Sequence, residues 1–404
     1  MDGGIVYVDE LEINKERVFI RVDFNVPQDE TGFIVDDRRI RAALPTINYL
    51  LDRDCIVVLS SHMGRPKSKR IKNLSLSNVA IRLSRLIERE VKFVDDCIGE
   101  KVTKEVSRAK FGSVILLENL RFYEGETKND REFAKELCNS SLCNIYVNDA
   151  FAVAHRLHSS VSAIVEFFKE CSAGFLMKKE ISAFKRILEN PKRPLVAVIG
   201  GAKVSDKIGA LEHLTNIVDK LIIGGAMAFT FLEADGYSAG KSLVEEDKIE
   251  IAREISKMAK AKKVKLYFPV DCVIAKSKED AGQPKVVPVQ EIPEDMTGLD
   301  IGPATITLFG EALADARTII WNGPMGVFEI EQFSKGTYSI ASYIANSTAF
   351  TVVGGGDTDV ALYNTGEIHK ISYVSTGGGA FITVLEGREL PAIIALKERC
   401  AKKN

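Results

Sequence analysis

"PLVAVIGGAKVSDK", residues 194–207, runs from a proline through five apolar residues into a glycine pair and then a polar stretch holding two lysines. The unbroken apolar run reads as a strand buried on both faces, the strand type of parallel sheets. Glycine directly after such a strand lets backbone amides approach a ligand closely, and a following helix adds its positive N-terminal end. The spacing of Lys203 and Lys207 predicts one helical turn with both ammonium groups on one face, which suits a polyphosphate. A strand, a glycine turn and a helix in that order make up the half-unit of a doubly wound α/β sheet.

The same pattern repeats along the chain. Strands are expected at "RVFIRVDF", "CIVVLSS", "VILLEN" and "NIYVND" in the first half. In the second half they are expected at "PLVAVIGG", "KLIIGG", "KLYFPVDC", "TIIWNG", "FTVVGGG" and "YVSTGGG". Between them "RRIRAALPTINYLLDR", "LSNVAIRLSRLIER", "DREFAKELCNS" and "EEDKIEIAREISKMAKAKK" carry apolar residues at helical spacing. At 404 residues the chain exceeds what one apolar core usually serves. The fold class expected is therefore α/β, two doubly wound parallel-sheet (Rossmann-like) lobes. "AGFLMKKEISAFKRILEN", residues 173–190, reads as one amphipathic helix ending before Pro191 and Pro194, and it is the expected hinge between a lobe at 1–172 and a lobe at 191–386.

Composition removes several function classes. A formal charge of -2 gives no global field to recruit nucleic acid or an anionic membrane surface, and the basic run from Arg65 to Lys72 reads as a solvated loop. Seven scattered cysteines without a C-x-x-C pair fit reduced thiols in the cytoplasm. The acidic start "MDGGIVYVDE" lacks a signal-peptide pattern, and the longest apolar stretch, Leu221 to Leu232, is too short to span a bilayer. "DGYSAGKSLVEED", residues 235–247, imitates a phosphate-binding loop, but only three residues separate Gly236 from Gly240 where four are required. Gly236 to Ser242 is expected to stop one helix and cap the next, with Ser242 opening it and Glu245 and Glu246 just beyond.

In open parallel sheets ligands bind beyond the carboxyl ends of the strands. Those ends carry Asp23 and Asn25, His62 and Arg65, Arg121, and Asp149 followed by His155 and Arg156 in the first half. In the second half they carry Gly200 and Gly201, Gly224 and Gly225, Asn322 and Gly323, and the triplets at 354–356 and 377–379. Arg39 opens a helix and can join the other arginines. Guanidiniums converging on a crevice suit a small, multiply anionic ligand, whereas bare backbone suits phosphates. The period of two in "RVDFNVP" puts Asp23 and Asn25 on the face opposite Val22, Phe24 and Val26. Asp357 can hold a metal or cap the helix after the first triplet, and Thr358 can donate to phosphate. His155 and His158 lack the companions of a metal site, and the G-x-G-x-x-G of a dinucleotide-binding dehydrogenase is absent.

"RVDFNVP", "SHMGRP", "LLENLRF", "NDAFAVAHRLHSS", "GGAKVSDKI", "GGAMAFTFL", "DIGPAT", "WNGPMGVFE", "GGGDT" and "STGGGA" stand in the order found in phosphoglycerate kinases, which the chain resembles along essentially its whole length. The resemblance implies a cytoplasmic, monomeric kinase of glycolysis and gluconeogenesis. It implies reversible phosphoryl transfer between 1,3-bisphosphoglycerate and ADP, giving 3-phosphoglycerate and ATP, with Mg²⁺ on the nucleotide and no nucleic-acid or membrane partner. It places Asp23, Asn25, Arg39, His62, Arg65, Arg121 and Arg156 on the glycerate substrate, with Arg39 rather than Arg38 reaching the transferring phosphoryl. It places Gly201, Lys207, Asn322, Glu329, Gly355, Gly356, Asp357, Thr358, Gly378 and Gly379 on the nucleotide, Glu329 at the ribose and Asp357 on the metal. Arg39, Lys203 and Lys207 are the transfer residues, Lys207 being the stronger candidate for the group in flight. Hinge closure and a tail at 387–404 packed on the first lobe complete the expectation. Asp359, where small residues are common, and Ala392, where a glycine is common, depart from the pattern. The rival readings are a non-catalytic scaffold of the same fold and a dehydrogenase.

Overall fold

Unbroken apolar runs become fully buried central strands, and the helices between them cover both faces of two separate sheets. The computed structural model describes residues 3–279 and 282–401. The chain divides into two compact units, one formed by the chain up to Ser182 together with the segment from Glu389, the other running from Ala183 to Arg388.

In unit 1 the order is β1 (Arg17–Val22), α1 (Arg38–Leu51), β2 (Ile56–Ser60), α2 (Ser77–Ile87), β3 (Val91–Val94), α3 (Glu100–Arg108), β4 (Val114–Leu117), α4 (Glu124–Lys128), α5 (Arg131–Ser141), β5 (Ile145–Asp149) and β6 (Glu170–Ala173). The sheet order is β3-β4-β2-β1-β5-β6, every pair parallel. β2, β4 and β5 are buried at every residue, and their branched side chains meet those of α1 and α2 in one core. β3 and β6 lie at the edges, short and partly polar, and carry too little apolar signal to be expected from sequence. α6 (Phe175–Leu188) is the helix expected to connect the halves, and the division of the chain falls inside it.

Unit 2 continues with β7 (Leu195–Ile199), α7 (Ile208–Leu214), β8 (Lys220–Ile223), α8 (Met227–Ala234), α9 (Ile249–Ala261), β9 (Lys265–Tyr267), β10 (Asp271–Ala275), β11 (Lys285–Pro288), β12 (Thr297–Ile301), α10 (Pro303–Ala314), β13 (Thr318–Asn322), α11 (Lys335–Ala345), β14 (Phe350–Gly354), α12 (Gly356–Thr365), β15 (Tyr373–Ser375) and α13 (Gly378–Leu385). Its main sheet, β15-β14-β13-β7-β8-β9, is again parallel throughout. α14 (Pro391–Ala401) belongs to unit 1, where the Ala392 N–H donates to the Ala154 carbonyl at 3.1 Å and Arg399 to the Phe168 carbonyl at 2.6 Å.

Two expectations need correction. "KLYFPVDC" is not one strand, because the chain breaks at Phe268–Val270, leaving β9 in the parallel sheet and β10 in a second, antiparallel sheet of order β11-β10-β12. Pro269, which has no N–H to donate, sits in the break. Ser242 does not open a helix. Its hydroxyl accepts the Gly298 N–H at 2.9 Å, Gly236 with φ +92° terminates α8, and a short 3₁₀ turn at Glu246–Lys248 leads into α9. The Gly-Lys-Ser stretch therefore follows a helix rather than a strand, in the wrong setting for a phosphate loop.

Candidate active site

In unit 1 the strand ends are tied to each other by polar side chains. β1 stops at Val22, so Asp23 and Asn25 lie just past the strand rather than within it. Asp23 is buried and its carboxylate accepts Arg39 at 2.7 Å, and Arg39 also donates to the Asn25 carbonyl at 3.2 Å. Arg39 is the second residue of α1, and this pair folds it back over β1. Arg38 instead turns to Asp36 on the surface. The Asn25 side chain accepts the Gly64 N–H at 2.8 Å, and the Gly64 carbonyl accepts Arg121 at 2.7 Å. Asn119 fixes the same loop, accepting the N–H groups of Met63 and Arg121 and donating to the Met63 and Leu74 carbonyls.

Beneath this layer lies Arg21, fully buried in β1 and absent from the expected site. It donates to Ser160 Oγ at 2.8 Å and to the Val22 carbonyl, lies 3.3 Å from His62 Nδ1, and faces Glu126 at 3.9 Å. Its signal was present in the sequence, since Arg21, Asp23 and Asn25 alternate at a period of two in an otherwise apolar run. Burial, reinforced by Arg21, Arg121 and Arg39, holds His62 well below the usual imidazole range. Burial, with Arg21, Arg121, Arg156 and His155 close by, pushes His158 down to about 3. Both rings are neutral near pH 7. Arg121 is itself lowered to about 10 by burial and by the neighbouring Arg21 and Arg156, so cations here crowd one another and a bound anion would relieve them. Arg65 and Arg156 are exposed on the same loops. Asp149 turns away from the crevice: its carboxylate accepts the Leu176 and Met177 N–H groups at the start of α6, and burial pushes it up to about 7.

In unit 2 the site forms where β7 meets β13, the point at which the strand order runs outward in both directions. The Gly200 N–H donates to the Asn322 carbonyl and the Gly201 N–H to the Pro324 carbonyl, both at 2.9 Å. Gly225 and Gly323 have φ +69° and +95°, and a Cβ on either would strike the backbone of the Gly200–Gly201 turn. Residues 201–207 form a bend and a turn, and α7 begins only at Ile208. Lys203 and Lys207 therefore do not share a helix face, because the glycine turn needs those residues to carry the chain clear of β7. Lys203 is exposed, while Lys207 folds back to donate to the Gly200 carbonyl and to the Asn322 carbonyl at 3.1 Å. Burial lowers Lys207 to about 8, opposed by Asp206 and Asp357.

Beside this turn opens a cavity of about 720 Å³, within the range that takes a nucleotide. Gly201 and Gly225 line one end, Phe229, Leu299, Ile301, Met325 and Val327 form apolar walls, and Glu329 and Asp357 stand at its edge, both exposed. Gly355 precedes α12, Gly356 and Asp357 occupy its first turn, and Gly378 and Gly379 occupy the first turn of α13, and neither N-cap residue supplies a side-chain hydrogen bond to its helix. Thr358 and Asn322 tie the glycine turns together. Thr358 is fully buried and its hydroxyl accepts the Gly323 N–H at 2.8 Å, while the Asn322 side chain donates to the Gly354 carbonyl at 2.6 Å. Both hold the glycine turns, and accepting the Gly323 N–H does not use the Thr358 O–H. Asp300, which sequence reasoning passed over, also lines the cavity, and burial pushes it up to about 7.

Comparison with known proteins agrees with this geometry. The family model described as Phosphoglycerate kinase matches residues 8–388. A phosphoglycerate kinase of Geobacter metallireducens is 58% identical over 396 residues, 98% of this chain and 99% of the relative, and one of Aquifex aeolicus is 51% identical over 390 residues, 96% and 98%. Among solved structures, the phosphoglycerate kinase from Coxiella burnetii aligns with a TM-score of 0.87 at 42% identity, covering 98% of this chain and all of that one. That from Pyrococcus horikoshii aligns at 0.85 and 32%, covering 99% and 100%. With guanidiniums at the strand ends of one unit, a glycine-walled cavity in the other and this likeness along nearly its full length, the chain belongs to the phosphoglycerate kinase family.

Proposed function

We propose that the two units divide the reaction of the family between them, unit 1 holding the glycerate and unit 2 the nucleotide. The observation that carries this division is that the guanidiniums gathered at the strand ends of unit 1 outnumber the carboxylates facing them, Asp23 and Glu126, while glycine turns and helix N-termini line the cavity of unit 2. His62, Arg65, Arg121 and Arg156 take the distal phosphate, and Asp23 and Asn25 face the hydroxyl and carboxyl end. Arg39, held between Asp23 and Asn25, is aimed at the phosphoryl that moves. Glu329 meets the ribose, and the amides at the start of α12 and α13 meet phosphate oxygens.

The two lysines take different parts. Lys207 is fixed against strand-end carbonyls and suits the phosphates that stay with the nucleotide, whereas Lys203 stands on an exposed turn and can follow the moving group. This reverses the order favoured by sequence alone. Asp357 offers a single exposed carboxylate at the cavity's edge, which fits Mg²⁺ arriving with the nucleotide, since magnesium keeps waters and phosphate oxygens as its other ligands. When bound, the metal neutralises charge on the nucleotide phosphates.

The acceptor is a carboxyl group in one direction and the terminal phosphate of ADP in the other. Either attacking oxygen is already ionised, so no side chain has to remove a proton. The residues contribute alignment and positive charge around the phosphoryl oxygens, the main demands of such a transfer. Ligands held on different units must meet for transfer, and closure that excludes water protects the acyl phosphate from hydrolysis. A reducing, cytoplasmic setting fits seven free thiols, five of them buried. The protein acts as a monomer without nucleic-acid or membrane partners, since neither half-site calls for a second chain. The test is an assay with 3-phosphoglycerate and MgATP coupled to detection of 1,3-bisphosphoglycerate. Turnover saturating in both substrates is expected, and no turnover with ATP or GTP would remove the assignment.

A further inference from the structure

Asp300 sits in β12 at 4% exposure, and its Oδ2 accepts the Gly336 N–H at 2.6 Å. Oδ1 has no hydrogen-bond partner among the described residues. The α-carbons of Gly326 and Gly336 press against the carboxyl so closely that a Cβ on either would collide with it. Next to it the Leu299 carbonyl accepts the Val327 N–H at 2.8 Å. A buried carboxyl with an orphan oxygen is costly and calls for a reason. Gly326, after β13, and Gly336, in the first turn of α11, bracket the segment that carries Glu329 to the cavity's edge.

We propose that Asp300 is a positioning residue for the nucleotide, its carboxyl clamping the segment between Gly326 and Gly336 to β12 and so setting Glu329 at the cavity. This rests on the reading of Glu329 as the ribose contact. The geometry selects a carboxyl over its neighbours in chemistry. An oxygen meets the glycine α-hydrogens favourably on the Oδ1 side, whereas an amide would press N–H donors against them. The glycines follow from the same contact, since no other residue lets the backbone come so near.

The test measures KM for each substrate in Asp300→Ala, Asp300→Asn and Glu329→Gln. Asp300→Ala is expected to raise the nucleotide KM about tenfold, the scale of a lost hydrogen bond to a charged group, with the 3-phosphoglycerate KM unchanged. Asp300→Asn keeps an acceptor for the Gly336 N–H but sets an NH2 against the α-hydrogens of Gly326 and Gly336, so its nucleotide KM is expected between those of wild type and Asp300→Ala, and a wild-type value would remove the preference for a carboxyl. An unchanged nucleotide KM in Asp300→Ala overturns the clamp. A rise in Asp300→Ala together with no effect of Glu329→Gln upholds the clamp and removes the ribose reading instead. Should Asp300→Ala fail to fold, hydrogen exchange of the wild-type Gly336 amide decides: added protection with MgATP supports the proposal, and no change overturns it.

Discussion

Lys207 is the residue whose chemistry is most sensitive to solution conditions. Its value of about 8 means the free protein loses this charge as pH rises through 8, so kcat/KM for the nucleotide should fall there, read from a pH profile at saturating 3-phosphoglycerate. Lys207→Ala is expected mainly to raise the nucleotide KM. Lys203→Ala is expected to cut kcat about a hundredfold or more, as removal of a charge-stabilising donor does elsewhere. Equal kcat in Lys203→Ala and wild type would return the transfer role to Lys207. Arg65→Ala should weaken 3-phosphoglycerate and leave the nucleotide KM alone, and the reverse result would exchange the roles of the two units. Lys241→Ala, in the false phosphate loop, should leave both KM values and kcat intact in the same assay. The positions of these side chains were legible, because Asp23, His62 and Arg121 stand just past apolar runs and Arg39 opens a helix. Arg21 escaped notice because a charge inside a strand reads as a surface residue until its neighbours are seen to be buried.

At the level of elements, Thr358 couples α12 to the turn after β13. Thr358→Val keeps the shape and leaves the Gly323 N–H buried without its partner, a loss of about 1–3 kcal/mol. Urea denaturation should register that loss, and the nucleotide KM should rise with it. The sequence did not announce this bond, or that of Asn322 to Gly354, because motif spacing reports which residues gather but not which way each side chain turns. The same limit explains Lys203 and Lys207: four-residue spacing fits a helix, yet the glycine turn before them delays the helix until Ile208. The antiparallel sheet of β10, β11 and β12 was hidden for another reason. β11 is largely exposed and β9 is three residues long, so neither shows a clear period.

For the whole molecule, four buried groups set opposing pH trends. His62 and His158 are lowered in the folded state, so unfolding takes up protons and stability is lost as pH falls below their ordinary value near 6.5. Asp149 and Asp300 are raised to about 7, so their contribution is greatest at low pH and is lost as pH rises from about 4 to 7. Between about pH 4 and 6.5 the two pairs work against each other. His158→Gln removes one of the two histidines from that balance and leaves His62 in place. Relative to wild type it should gain about 1.4 kcal/mol for each unit of acidification below pH 6.5, measured by urea denaturation at several pH values.

Unit 1 is built from two separated stretches of chain, with unit 2 lying wholly between them. Unit 1 therefore cannot close until α14, the helix whose residues reach Ala154 and Phe168, has been made, and those contacts join positions more than two hundred residues apart. Contacts so distant along the chain carry a high loop-closure cost before they are rewarded, so the last part of unit 1 to be secured is the flank that α14 covers.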